Sequence, residues 1–261
     1  MLVLIRGAGD LASGIALRLH HAKMRVVMTD LPKPTAIRRT VCFSQAILFG
    51  TMRVEDVTAE FAESPACVDA ILAKGHIPVL ADPEAACVAE LQPDAVVDAI
   101  LAKKNLGTKI TDAHCVIGVG PGFTAGADCH ACVETMRGHT LGRVITEGSP
   151  IPNTNIPGLI GGFAGERVLR APAEGIFRQV GQIGDRVKQG ETVGYVGDAP
   201  MICQISGVLR GILADGTPVF QGMKAGDVDP RGEVSYCNTV SDKALAIGGG
   251  VLEAILRFSE G

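Results

Sequence analysis

Residues 2–30 read LVLIRGAGDLASGIALRLHHAKMRVVMTD. The apolar run Leu2–Ile5 enters a glycine turn at Gly7, Ala8 and Gly9. Leu11, Ile15 and Leu19 then recur at the spacing of one helix face. Residues 25–29 (RVVMT) form a second short apolar run. The order is strand, glycine turn, helix, strand, which predicts a βαβ unit at the start of the chain.

Working outward from this unit, the runs IPVLAD (77–82), DAVVDAI (94–100) and CVIGVG (115–120) are rich in Val and Ile and bounded by Pro, Gly or Asp. Helical segments separate some of them, for example 66–74. Such alternation predicts an α/β domain, a Rossmann-like parallel sheet with helices on both faces, over residues 1–165. Beyond it the texture changes. From Arg167 to Arg231 short strand-like runs recur roughly every 8–12 residues between Gly, Asp and Pro, so a small all-β domain is expected over 166–232. Residues 241–258 return to a helical pattern, with Ser241 as N-cap and Asp242 in the first turn. The segment 233–261 is expected to be a C-terminal helix packing on the first domain.

Composition narrows the function classes. The 261 residues are 47% hydrophobic and carry a formal charge of −4, so no basic surface offers itself to nucleic acid. Glycine is frequent, at 33 residues, against a typical share of about 7%. Together with few aromatics, this predicts tight turns and close backbone approach. The run Leu2–Ile5 is too short for a secretion signal, and no stretch approaches the roughly 20 apolar residues of a membrane span. A cytoplasmic protein without a membrane partner is expected. The cysteines at 42, 67, 87, 115, 129, 132, 203 and 237 lie mostly in apolar runs and read as core thiols of a reducing compartment.

The first glycine loop, Gly7-Ala8-Gly9-Asp10-Leu11-Ala12, fits G-x-G-x-x-A between a strand and a helix. Gly7 permits the turn, Gly9 lets backbone approach a pyrophosphate, and the helix N-terminus beginning near Asp10 offers free N–H groups. Asp30 closes the second strand, where an acid bonds a ribose hydroxyl. Arg38 and Arg39 follow and suit an extra phosphate instead. The cofactor expected here is NAD(P) or another nucleotide.

The second glycine loop runs from Gly118 to Gly126 and includes Gly120 and Gly122. A helix is expected after it, with His130, Glu134 and Arg137 on one face at i, i+4 and i+7. Lys103, Lys104 and Asn105 leave another strand at the same edge and suit phosphate or carboxylate groups. The Cys129-His130-Ala131-Cys132 motif is either core packing or a thiol site. A single C-x-x-C is half a zinc site, and a helical zinc pair is normally two histidines, so an anion site is expected before a metal site.

The phrases Ile183–Gly190 and Gly207–Gly211 resemble a biotinyl/lipoyl barrel-sandwich hybrid. That family's carrier lysine would fall within Gly197–Cys203, which contains none; Lys188 and Lys224 lie elsewhere. The resemblance therefore implies a binding, docking or covering module, with no swinging arm.

Longer phrases carry a wider resemblance: GAGDLASGIALRL (7–19), VVDAILAKKNLGT (96–108), VIGVGPGFTAG (116–126), ETMRGHTLGRVI (134–145), RVLRAPAEGIF (167–177) and SDKALAIGGGVLEAI (241–255). Over nearly its whole length the chain resembles the bacterial accessory proteins of the selenium-dependent molybdenum hydroxylase system. Its first part also resembles the XdhC/CoxI accessory proteins. The resemblance implies a maturation role, a molybdenum hydroxylase as partner, and a nucleotide or the molybdenum-pterin cofactor as small-molecule ligand; an oligomer is compatible with it. Two other readings stand beside it. One is an NAD(P)-dependent oxidoreductase or cofactor-modifying enzyme, for which no tyrosine–lysine pair is evident. The other is a protein-docking module.

Overall fold

The computed structural model describes residues 1–154 and 156–259. It divides into two compact units, each discontinuous in sequence: residues 1–34, 42–154 and 240–261, and residues 35–41 and 155–239.

Among the described residues the first unit has nine strands. They are β1 (Leu2–Arg6), β2 (Arg25–Thr29), β3 (Thr51–Val54), β4 (Val57–Ala62), β5 (Ile77–Leu80), β6 (Ala95–Asp98), β7 (Cys115–Val119), β8 (Ala131–Val133) and β9 (Val144–Ile145). They form one sheet in the order β3-β4-β5-β2-β1-β6-β7-β8-β9. The pairs from β4 to β8 are parallel, and the edge pairs β3/β4 and β8/β9 are antiparallel. Strands β5, β6, β7 and β8 are buried at every position, so their apolar runs face cover on both sides.

The helices are α1 (Asp10–His21), α2 (Ala46–Phe49), α3 (Val68–Ala73), α4 (Val88–Leu91) and α5 (Asp242–Ser259). Helices α1 and α5 pack on each other. Gly14 allows the approach, because a Cβ there would lie 2.5 Å from the Cβ of Ala244. Ser241 caps α5, its Oγ accepting the amide of Ala244 at 3.2 Å. Ala244, Ile247, Val251 and Ala254 form the buried stripe of α5, at helical spacing.

The expected Rossmann-like parallel sheet with helices on both faces is corrected by this architecture. The sheet is mixed, with an antiparallel hairpin on one edge and an antiparallel strand on the other. Helix is sparse. Residues 99–114 between β6 and β7, and 120–130 between β7 and β8, contain no helix at all. These connections are rich in Gly, Pro, Asn and Asp, which favour turns and break helices.

A second correction concerns the residues after the second glycine loop. Residues 131–133 are β8, not a helix. Ala131, Cys132 and Val133 are buried and pair in parallel with Ile117, Gly118 and Val119. Their apolar character serves a central sheet position, and the helical spacing of His130, Glu134 and Arg137 is a coincidence of the pattern.

The second unit contains β10 (Val168–Arg170), β11 (Gly175–Gln179), β12 (Arg186–Val187), β13 (Thr192–Val196), β14 (Ala199–Ile202), β15 (Gly207–Ile212), β16 (Pro218–Val219) and β17 (Lys224–Asp229). They form two separate four-stranded antiparallel sheets, β10-β17-β15-β12 and β14-β13-β11-β16. Leu169, Phe177, Val193, Met201, Leu209 and Val228 belong to one buried cluster fed by both sheets. The biotinyl/lipoyl barrel-sandwich hybrid is thereby corrected. The phrases that suggested it mark glycine turns and a strand, features any small antiparallel fold shares. The segment Gly197-Asp198 is the tip between β13 and β14.

Candidate functional site

The carboxyl ends of the parallel strands gather most of the sequence-predicted residues along one edge of the first unit's sheet. At the end of β1, Gly7 adopts φ +98° and its amide donates to the Thr29 carbonyl at 2.8 Å. A Cβ there would lie 2.9 Å from the Ala99 carbonyl oxygen, so only glycine fits between the ends of β1 and β6. Gly9 differs. Its φ is an ordinary −76°, it is the N-cap residue of α1, and no side chain caps the helix there. A Cβ on Gly9 would meet nothing within 4 Å. The α1 N-terminus therefore presents an uncapped end beside open space, with the positive end of the helix dipole behind it. Asp10 opens the helix.

Asp30 ends β2 and turns back on this loop. Its carboxylate accepts the amide of Ala8 at 2.8 Å and that of Leu31 at 2.7 Å. Burial raises its pKa above the ordinary carboxylate value, and the two amide donors offset this only in part. Asp30 braces the turn. Arg38 and Arg39, read as alternatives to it, belong to the second unit, where Arg39 bonds the Gln179 side chain and Arg38 the carbonyls of Tyr236 and Thr239.

Residues 43–45 lie against the same turn. The amide of Ser44 donates to the Ala8 carbonyl at 2.9 Å, and that of Phe43 to Ser13 Oγ at 2.9 Å. The side chains of Ser44 and Gln45 are buried, at 0% and 3% exposure, yet Ser44 Oγ and Gln45 Nε2 have no hydrogen-bond partner among the described residues. Two orphaned polar atoms on consecutive residues are an expensive arrangement in a fold that leaves few such groups unpaired.

At the neighbouring strand ends, Arg6 of β1 and Asp98 of β6 face each other in register, 3.6 Å apart and buried. Thr108 joins them, accepting from Arg6 Nη1 and donating to Asp98 Oδ2. Arg6 Nη2 also reaches the carbonyls of Pro83 and Leu106. Sequence reasoning missed this trio. The signal was available: an Arg and an Asp each close an apolar strand at adjacent positions of one sheet. Asn105 does not face outward; its Oδ1 accepts the amides of Gly107 and Thr108, and its Nδ2 donates to the Thr108 carbonyl. Lys103 and Lys104 are exposed, and Leu101 and Lys103 hold left-handed backbone, at φ +61° and +64°.

The second glycine loop presses on this segment. A Cβ on Gly122, at φ +110°, would lie 2.6 Å from Lys104 Cα, and one on Gly120 would meet Thr135 Oγ1 at 2.9 Å. These glycines permit loop-on-loop contact. Of the polar stripe, Glu134 is buried at the end of β8, and its carboxylate accepts the amides of Thr135, Met136 and Ile151 at 2.6–2.8 Å. Arg137 makes a two-pronged pair with Asp242 at 2.7 and 2.9 Å. His130 stands at the opposite end of β8. Its Nδ1 accepts the Val116 amide at 2.9 Å, and burial, chiefly, lowers its proton affinity, so the ring is neutral at pH 7. The three residues are thus not brought together. What converges is the first glycine turn with Asp30 and Ser44, and beside it the Arg6–Asp98–Thr108 trio.

No family model matches the chain. It is 52% identical over 257 residues to the uncharacterized protein YqeB of Escherichia coli K12, a match covering 98% of the chain and 48% of that protein. The chain spans about half the length of this curated relative. Among solved structures, a succinylglutamate desuccinylase/aspartoacylase from Rhodobacter sphaeroides is 16% identical, with a TM-score of 0.26 over 87% of this chain and 84% of that one. The product-bound ectoine utilization protein EutE (DoeB) from Ruegeria pomeroyi is 12% identical, with a TM-score of 0.24 over 78% and 57%. Superpositions this loose bear on neither fold nor chemistry. No helix among the described residues is long and apolar enough to cross a membrane.

Proposed function

We propose that this chain binds a phosphate-bearing small molecule at the Gly7–Asp10 turn and acts as an accessory protein in the maturation of a selenium-dependent molybdenum hydroxylase. The observation that carries the binding half is the uncapped N-terminus of α1 beside the open space at Gly9. Backbone N–H groups and the helix dipole favour an anion there. A nucleotide and the phosphate of a molybdenum-pterin cofactor share that chemistry. Ser44, whose amide bonds the Ala8 carbonyl, and Gln45 leave a buried hydroxyl and amide unmatched among the described residues, and a ligand engages them only with a shift of residues 43–45.

The maturation half rests on the sequence phrases that resemble the accessory family. Under this reading the pterin compound is cargo, held by backbone amides and released to the hydroxylase. The test is genetic and chemical together. A host lacking the protein should lose hydroxylase activity and recover it with the wild-type chain but not with Gly9→Val. Full recovery with an empty vector removes the maturation role.

A specific observation favours a docking role for the second unit. Ile176 and Phe220 are 58% and 64% exposed. Ile176 pairs with Pro218, which puts these two on one sheet face, and Phe220 directly follows β16. On the same sheet Arg178 stacks over the Tyr195 ring at 4.5 Å. An exposed apolar face of this kind suits the hydroxylase partner.

A further inference from the structure

The ligand reading leaves the Cys129–Cys132 motif unused. The chain bends at His130, and the bend sets Cys129 Sγ and Cys132 Sγ 3.5 Å apart. Both thiols are free and fully buried, so the adjoining 126–128 turn has to open for a small disulfide to reach Cys129. Cys129 lies directly beneath the turn at 126–128, where Gly126 and Ala127 are exposed, and its carbonyl closes that turn by accepting the Gly126 amide at 2.8 Å. A disulfide needs sulfurs about 2.05 Å apart, so closure requires a shift of about 1.5 Å, within reach of side-chain rotation at a turn.

We propose that Cys129 and Cys132 form a dithiol site that exchanges with low-molecular-weight disulfides, Cys129 as the attacking thiol and Cys132 as the resolving one. The two sulfurs are not equivalent. The hydrogen bond from Cys132 holds Cys129 below the ordinary thiol value, whereas the same bond and burial hold Cys132 above it. Elsewhere burial pushes thiols up, Cys115 and Cys203 to about 11 and Cys87 to about 12. The Cys129 thiolate attacks one sulfur of the small disulfide, forming a mixed disulfide and expelling one thiolate. Cys132 then attacks the Cys129 sulfur, expels the second thiolate and gives up its proton to it. Two electrons pass from the pair to the small disulfide, and an intramolecular S–S bond remains. That bond ties the Gly126–Cys129 turn to β8, the strand that carries Glu134 at its far end.

The experiment uses the full chain and oxidised glutathione under native conditions, followed by intact mass and peptide mapping. Wild type should lose two hydrogens, with the bond mapped to Cys129 and Cys132. Cys132→Ser should instead accumulate one glutathione adduct on Cys129, about tenfold faster than on Cys115. Cys129→Ser should form neither product at this site. Cys132→Ala is run in parallel and must trap the same adduct, which guards against a serine that folds poorly. A pair that stays reduced in wild type while other cysteines take up glutathione overturns the proposal. So does a Cys132→Ser adduct spread evenly over the remaining thiols.

Discussion

The amide of Ala8 donates to the Asp30 carboxylate at 2.8 Å. The acid at the end of β2 therefore holds the first glycine turn in shape, and its proton equilibrium belongs to that turn. Burial raises the folded-state value of Asp30. The stability that the protonated form contributes is complete below the unfolded value of about 3.9 and is lost as pH rises through the raised folded value. Asp30→Asn has no such titration. Thermal melts from about pH 4 to pH 7 should show the variant gaining on wild type as pH rises. A difference that is flat across this range would mean that the two amide donors cancel the burial cost.

Gly122 is held by sterics and backbone at once, with φ +110° and Lys104 backbone 2.6 Å from where a Cβ would sit. Gly122→Val combines left-handed strain and overpacking, each worth about 1–3 kcal/mol. We expect a stability loss on the order of 3 kcal/mol or more in urea unfolding. A loss under about 0.5 kcal/mol, the range of ordinary surface changes, would show that the two loops separate freely.

Arg137 and Asp242 form a surface pair, with side chains 31% and 70% exposed. Such pairs contribute about 0.2–1 kcal/mol and weaken with salt. Arg137→Ala should cost that little. Asp242→Ala should cost more, since Asp242 also sits in the first turn of α5 and complements its dipole. Equal losses in both variants at high salt would leave the helix contribution without support.

Ser44 Oγ gives a contrast between stability and binding. Removing a buried hydroxyl without a partner relieves a penalty of about 1–3 kcal/mol. Ser44→Ala should melt no lower than wild type and yet bind a phosphate-bearing ligand about fivefold to tenfold more weakly, about 1–1.4 kcal/mol and within one hydrogen bond's net worth. An alanine variant that melts lower and binds normally would assign Ser44 to packing alone.

The strands were legible where the chain is densest in apolar residues. Leu2–Arg6, Arg25–Thr29, Ile77–Leu80 and Cys115–Val119 stand within the runs that periodicity marks. The final helix announces itself through Ser241 and a stripe from Ala244 to Ala254. Illegible were the pairings. The antiparallel edges depend on Thr51–Ala62 folding back as a hairpin and on β9 returning beside β8, neither of which a helix or strand period encodes. The site was legible by halves. The open position at Gly9 follows from the motif, but Arg6, Asp98 and Thr108 meet only because β1 and β6 are neighbours, and Ser44 reaches Ala8 across 36 residues of chain. His130 and Glu134 lie at opposite ends of a strand because three buried residues separate them in extended backbone.

The central claim is that the turn at Gly9 receives a ligand's phosphate, and calorimetric titration tests it most directly. Gly9 has an ordinary φ and free space around it, so Gly9→Val should fold, with a cost of about 1 kcal/mol for a poorer N-cap residue. NAD, NADP, ATP and CTP should be titrated into both proteins at low salt. The account predicts that wild type binds at least one of them and that Gly9→Val loses at least tenfold in affinity while keeping its melting transition. A folded Gly9→Val that binds as well as wild type would contradict it, and wild-type protein that binds none of the four would remove the nucleotide as its ligand.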